Sequence, residues 1–301
     1  MIPPSPVPAS PLPPRTFKVQ WSRVLPNPPR GLVRAREKGW VLTWDDHDWL
    51  YLLNSQGDRQ GQKHLPTGLA GACCSDDGSS YAVLGAGGEI SWLTPDLMAR
   101  WERSLSQRPV AAAMDPYGQY LAIADHRGHL FLLDRLGRER FHIQCPRPLH
   151  HLAFIPAAPM LAACSDFGLA GCLDMTGRWM WRDGLVVNVG SLAVSGDGER
   201  LALACFSEGL RVYSLWGQSL DPVPVPEPCR LAAVTFAGQV FLTAGLSHDL
   251  FLLDSGGRSL GNYSLEQPAI ALALGALGDM ALAALADGSL VSLEIAEALP
   301  S

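Results

Sequence analysis

A strict 40-residue period, runs of four to eight β-type residues between turn residues, and no helix-length periodicity predict an all-β fold. The architecture is a seven-bladed β-propeller of four-stranded antiparallel blades. The period is carried by LYLLN, ISWLT, LFLLD, AGCLD, RVYSL, LFLLD and LVSLE, which place Asn54, Thr94, Asp134, Asp174, Ser214, Asp254 and Glu294 at intervals of 40. The same interval relates Gly88, Gly128, Gly168 and Gly288; Trp101, Phe141 and Trp181; Pro28, Pro148, Pro228 and Pro268. A column of small side chains runs through Val33, Cys73, Ala113, Ala153, Ala193, Ala233 and Ala273.

Within one repeat the strands follow in order. PVAAAM is an apolar inner strand, DPYGQ a turn, YLAIAD a second strand, HRG a tight turn, HLFLLD a third strand, RLGR a turn and ERFHIQ an outer strand. Strand triplets begin near residues 31, 69, 109, 149, 189, 229 and 269, and the seventh repeat runs out before its fourth strand. Continuing the period from residue 301 leads to Trp21 in FKVQWSRVL, which shares the column of Trp101, Phe141 and Trp181. The N-terminal segment is therefore expected to supply the outer strand of the last blade and to close the ring without a free edge. The domain reading is a proline-rich arm over 1–15, the propeller over 16–296 and a tail over 297–301.

Composition narrows the function classes. A net charge of −6 and the lack of any basic run leave no electrostatic footprint for nucleic acid. MIPPSPVPASPLPPR has neither the basic nor the apolar region of a signal peptide, and seven cysteines, an odd number, suit a reducing compartment. A cytoplasmic protein is expected, with no membrane insertion, because AIALALGALGDMALAALADG is interrupted by Gly275, Gly278 and Asp279.

GHLFLLDRLGRERF, AGCLDMTGRWMW, HDLFLLDSGGRSL and SGDGERLALA resemble the repeats of WD40 and quinoprotein-like propellers, in which a strand pair ends in aspartate before a Gly-Arg or Gly-Lys turn. The resemblance covers about residues 16–296 and implies the fold; function has to come from particular sites. The chain departs from WD40 repeats in carrying Leu53, Leu93, Leu133, Leu173, Leu253 and Leu293 at the tryptophan position, with no opening Gly-His.

Chemistry is sought on the two faces. The turns between second and third strands, together with the connections between blades, make one face, and they gather Asp45, Asp46, Asp48, Asp125, Asp166, Glu208, Asp249 and Asp287 with His47, His126 and His248. That acidic rim is the predicted partner surface, its densest stretch being TWDDHDWL. The three rim histidines lie on blades one, three and six. Sheets stack ~10 Å apart, so these histidines are too distant to share one ion. No metal or other cofactor is expected. Asp48 and His248 occupy a column of glycines and are read as left-handed turn residues.

His151, at the start of an inner strand, is the candidate ligand or base in the axial channel; Cys73 and Cys74 read as small core residues. On the opposite face Arg59, Arg100, Arg138, Arg178 and Arg258 recur after the third strand, and pairing with the neighbouring Asp134, Asp174 and Asp254 is expected. No catalytic motif occurs. The expected function is a non-enzymatic scaffold that binds protein through the acidic face or the proline-rich arm. The alternative is a lactonase-like hydrolase or quinoprotein-like oxidoreductase acting at the acidic face and channel.

Overall fold

The structure, a computed structural model, describes residues 12–298. Among them every regular element is a strand, and the strands form seven antiparallel sheets arranged as consecutive blades. Strands are lettered a to d from the axis outward. The repeat analysed above is reproduced in blade three, whose strands are Pro109–Met114, Tyr120–Asp125, His129–Asp134 and Glu139–Gln144.

Each of seven buried clusters joins two adjacent blades, so the core lies between sheets and a single blade has no core of its own. Blades two and three, for example, bury Trp92, Leu84 and Ile90 against Leu121, Ile123 and Leu133. Alternation along a strand sends successive side chains to the two neighbouring blades, which is why the middle strands are apolar at nearly every position.

The ring closes as the period requires. Blade seven has the order Arg15–Val24, Ser289–Glu297, Met280–Leu285, Ala269–Leu274, and the terminal strands pair from Arg15↔Glu297 to Val24↔Ser289. Just before this strand Leu12 packs against the cluster shared by blades six and seven, and Arg258 donates to its carbonyl. The rest of the proline-rich arm, residues 1–11, and the tail residues 299–301 lie outside the described residues.

Blade five fills its outer position differently. Its regular sheet has three strands, and residues 219–223 cover the edge through isolated bridges, Leu210 and Val223 exchanging backbone bonds of 3.0 and 2.9 Å. Pro222, Pro224, Pro226 and Pro228 lack the N–H a ladder needs, so only the residues between them can pair.

Adjacent blades are also locked at the periphery. The indole N–H groups of Trp21, Trp101 and Trp181 donate across the blade boundary to the carbonyls of Ser55, Arg135 and Leu215 at 3.0, 3.1 and 2.9 Å. Each ring lies on a glycine of the neighbouring c–d turn with φ near +80°, where an added Cβ would stand 2.7 Å (Gly57), 3.2 Å (Gly137) or 2.5 Å (Gly217) from the indole. Trp21→Ala is expected to cost ~3–5 kcal/mol and to release the N-terminal strand to protease, both read by denaturant unfolding and limited digestion. Gly217→Ala should cost ~1–3 kcal/mol through steric overlap and a left-handed backbone. A Trp21→Ala protein with the wild-type midpoint would show that closure does not depend on this contact.

Candidate functional site

The b–c turns do share one face, but side-chain direction divides their acidic residues. Asp45 and Asp125, expected on the rim, are fully buried. Asp45 Oδ1 accepts the backbone N–H groups of His47 and Trp49, and Oδ2 accepts from Asn27 and the Tyr51 hydroxyl, at 2.9–3.0 Å. Burial alone would raise its pKa; these four hydrogen bonds outweigh it and hold the carboxyl below the ordinary aspartate range. Because the folded pKa is depressed, this stabilisation is present above the ordinary aspartate value and is lost as pH falls through the folded one. Burial, reinforced by Asp45, pushes the Tyr51 hydroxyl up to about 12. Asp45 is thus a turn-building group.

Other members of the acidic set are also engaged locally. Asp48 has φ +63°, as its glycine column requires, and accepts the Leu69 N–H at 2.8 Å. The parallel expectation for His248 fails, since it has no positive φ; in blade five the left-handed residue is Gly209, next to Glu208. Glu208 pairs with Arg211 at 2.7 Å, Asp249 accepts from the Ser264 hydroxyl, and Asp287 accepts the Ser289 N–H. Asp46 and His47 form an exposed pair at 2.8 Å, which raises the His47 pKa. His126 is exposed beside the Arg108 carbonyl.

His151 begins its inner strand, and its Nε2 stands 3.4 Å from Asp166 Oδ1, while His150 Nδ1 is 3.4 Å from Oδ2. His151, then His150, keeps the Asp166 carboxyl below its ordinary range. His151 is not among the residues that line the axial cavity. Cys73 is buried, and burial raises its thiol to about 12; burial raises that of Cys74 as well. On the opposite face Asp134, Asp174 and Asp254 accept the backbone N–H groups of Arg138, Arg178 and Arg258, and of these arginines only Arg258 also makes the expected ion pair, at 3.0 Å. The aspartate's first task is to hold the turn. Among the described residues no three His, Cys, Asp or Glu side chains converge as a metal site.

Exposed apolar side chains occur on both faces, among them Phe167, Phe206 and Leu246 on b–c turns, but on the a–b face they border an axial cavity. An axial cavity of about 290 Å³ is walled by the ends of the inner strands, including Met114, Phe154, Val194, Val234 and Leu274. It continues into a vestibule of about 520 Å³ bordered by Pro116, Tyr117, Pro156, Ala157 and Phe236 on one part and Arg36, Glu37, Asp76 and Asp197 on another. Tyr117, Phe236 and Leu277, at the a–b turns, are 65%, 54% and 81% exposed. Backbone bonds link neighbouring turns: Glu37 to Asp76, Asp76 to Pro116, Asp197 to Phe236 and Phe236 to Ala276. Pro116 and Pro156 have no N–H to extend that chain. Arg36 is committed to Asp76 at 3.1 Å. The sequence signal for this site was the placing of Tyr117, Phe236 and Leu277 in glycine-containing turns, where polar residues are usual.

Neither a family model nor a curated protein matches the chain. The fold itself is WD40-like, a seven-bladed propeller closed by its N-terminal strand. No helix among the described residues is long and apolar enough to cross a membrane.

Blade three offers a direct test of the turn chemistry. Phe131 stands where blade one has Tyr51, and Asp125 Oδ2 accepts no hydrogen bond among the described residues. Phe131→Tyr should supply the missing donor and raise stability by ~1 kcal/mol, whereas Tyr51→Phe should lower it by ~1–3 kcal/mol. Equal thermal midpoints for Phe131→Tyr and wild type would contradict the proposed equivalence of the two turns.

Proposed function

We propose that the protein is a non-enzymatic propeller scaffold that docks a protein partner on its a–b face, over the axial vestibule. The observation that carries this reading is the exposure of Tyr117, Phe236 and Leu277 around a preformed, largely apolar cavity. Aromatic anchors beside a pocket, surrounded by polar groups, are the usual arrangement of an interface centre. Trp216, 71% exposed on the c–d turn of blade five, adds a further anchor at the edge of the same face.

Glu37, Asp76, Asp77, Asp197, Glu199 and Asp279 outnumber Arg36, Lys38 and Arg200 on these turns, which favours a partner segment that pairs apolar with basic side chains. The wall of the cavity is mostly apolar; its one carboxylate, Asp76, is paired with Arg36, and burial raises the Cys73 and Cys74 thiols away from the nucleophilic thiolate form, which supports binding over catalysis. Free, mostly buried cysteines agree with a cytoplasmic setting. The acidic face is the weaker docking surface, because Asp45 and Asp125 are consumed within their own turns.

The test is site-specific photo-crosslinking in native lysate, with the reactive residue at position 117 or at position 126. A partner captured from 117, and lost in Tyr117→Glu or Phe236→Glu variants that keep the wild-type thermal midpoint, is the expected result. Capture from 126 alone, abolished by Asp46→Asn, would return the interface to the acidic face.

A further inference from the structure

Blade three carries two histidines that the docking reading does not use. His129 opens strand c and His142 lies on strand d; His142 pairs with Phe131 across the ladder, and His129 pairs with Gln144. Their side chains meet, with His142 Nε2 3.0 Å from His129 Nδ1. The His142 ring is stacked on Phe131 at 4.2 Å and 22°, and the strand pairing sets both backbones. The two nitrogens are therefore held together by the fold. Neither histidine recurs in its column, where blade one has Trp49 and Gln62 and blade two has Glu89 and Glu102.

We propose that His129 and His142 form a surface chelate for a divalent transition ion of the copper and nickel class. Two nitrogen ligands ~2.0–2.1 Å from one ion are ~2.9 Å apart at a right angle and ~3.4 Å apart in a tetrahedron. The observed 3.0 Å fits the right-angle arrangement, which square-planar and octahedral ions use. In the hydrogen-bonded pair one facing nitrogen donates its N–H to the other. On binding, the donor ring takes its other neutral tautomer, so that each ring carries its N–H on the far nitrogen and both facing lone pairs go to the ion. Water would complete the coordination, since no third protein ligand converges there among the described residues. The ion would join strands c and d in the regular part of their ladder, short of the bulge between Leu132 and Leu133.

The probe is Ni²⁺ or Cu²⁺ alone, titrated calorimetrically into the full chain after chelator treatment, beside His129→Gln, His142→Gln and a His150→Gln/His151→Gln control. One equivalent bound by wild type and by the control, lost in either single variant, is expected. The same ion should raise the thermal midpoint of wild type and leave that of His142→Gln unchanged. Pulsed electron paramagnetic resonance of the Cu²⁺ form should report two imidazole nitrogens, falling to one or none in the variants. Binding should weaken in acid, because both imidazoles must be neutral. Binding that survives His142→Gln, disappears in the His150/His151 control, or is absent from wild type would overturn the assignment.

Discussion

The fold rests on a contact between neighbours: a large side chain on the outer strand of one blade seated on the c–d turn of the next. Trp21, Trp101, Phe141 and Trp181 lie on Gly57, Gly137, Gly177 and Gly217, all with φ near +80°. A glycine serves twice there, because it accepts the left-handed backbone and leaves room for the ring. Between blades one and two the sizes are exchanged. Gly61 takes the aromatic position and Leu97, with φ +59°, takes the glycine position; a Cβ on Gly61 would lie 3.3 Å from the Leu97 side chain. At blade six the partner of the turn is Pro224, in the irregular edge of blade five, against Gly257. The side chain in the contact changes around the ring, but at each of these seams a glycine leaves the room it occupies, as close packing demands.

This constraint explains why the ring must be closed by the N-terminus. Every cluster of the core needs two blades, so an open ring would expose one cluster's worth of apolar side chains and one unpaired strand edge. The strand Arg15–Val24 prevents both, and Trp21 brings the same contact to the seam between blades seven and one that other blades use elsewhere. The ring then presents turns whose tips are free to vary, and differences between blades concentrate there: Tyr117, Phe236 and Leu277 on one face, the Asp46–His47 pair on the other.

The acidic stretch TWDDHDWL shows where reading by alignment reaches its limit. The period placed it correctly at the junction of the second and third strands of blade one, with residues 46–48 as the turn between Val41–Asp45 and Trp49–Leu53. It could not separate Asp45, whose carboxylate folds inward onto Asn27, Tyr51 and two backbone N–H groups, from Asp46, which stays exposed with His47. The expectation for Asp48 held because it concerned backbone conformation, which a glycine column reports directly; that for His248 did not, because blade six forms its turn without a left-handed residue. The face proposed for docking was passed over for a related reason. Charge is conspicuous in a sequence, whereas the exposure of Tyr117 or Leu277 depends on which turns surround the axis.

By itself the sequence determined the blade number, the strand order, the strand limits of a repeat such as residues 109–144, and closure by Trp21. All of these follow from a period of 40 residues imposed on alternating side chains and turn formers, and are therefore written locally. Only the tertiary structure decided which carboxylates are structural, that a prolyl segment stands in for the outer strand of blade five, that the axial cavity sets Arg34, Arg36 and Asp76 among apolar strand ends, and that His129 and His142 meet. Each of these depends on side-chain direction across a strand pair or a blade boundary. Such directions are set by packing between residues far apart in the chain, which no single repeat contains.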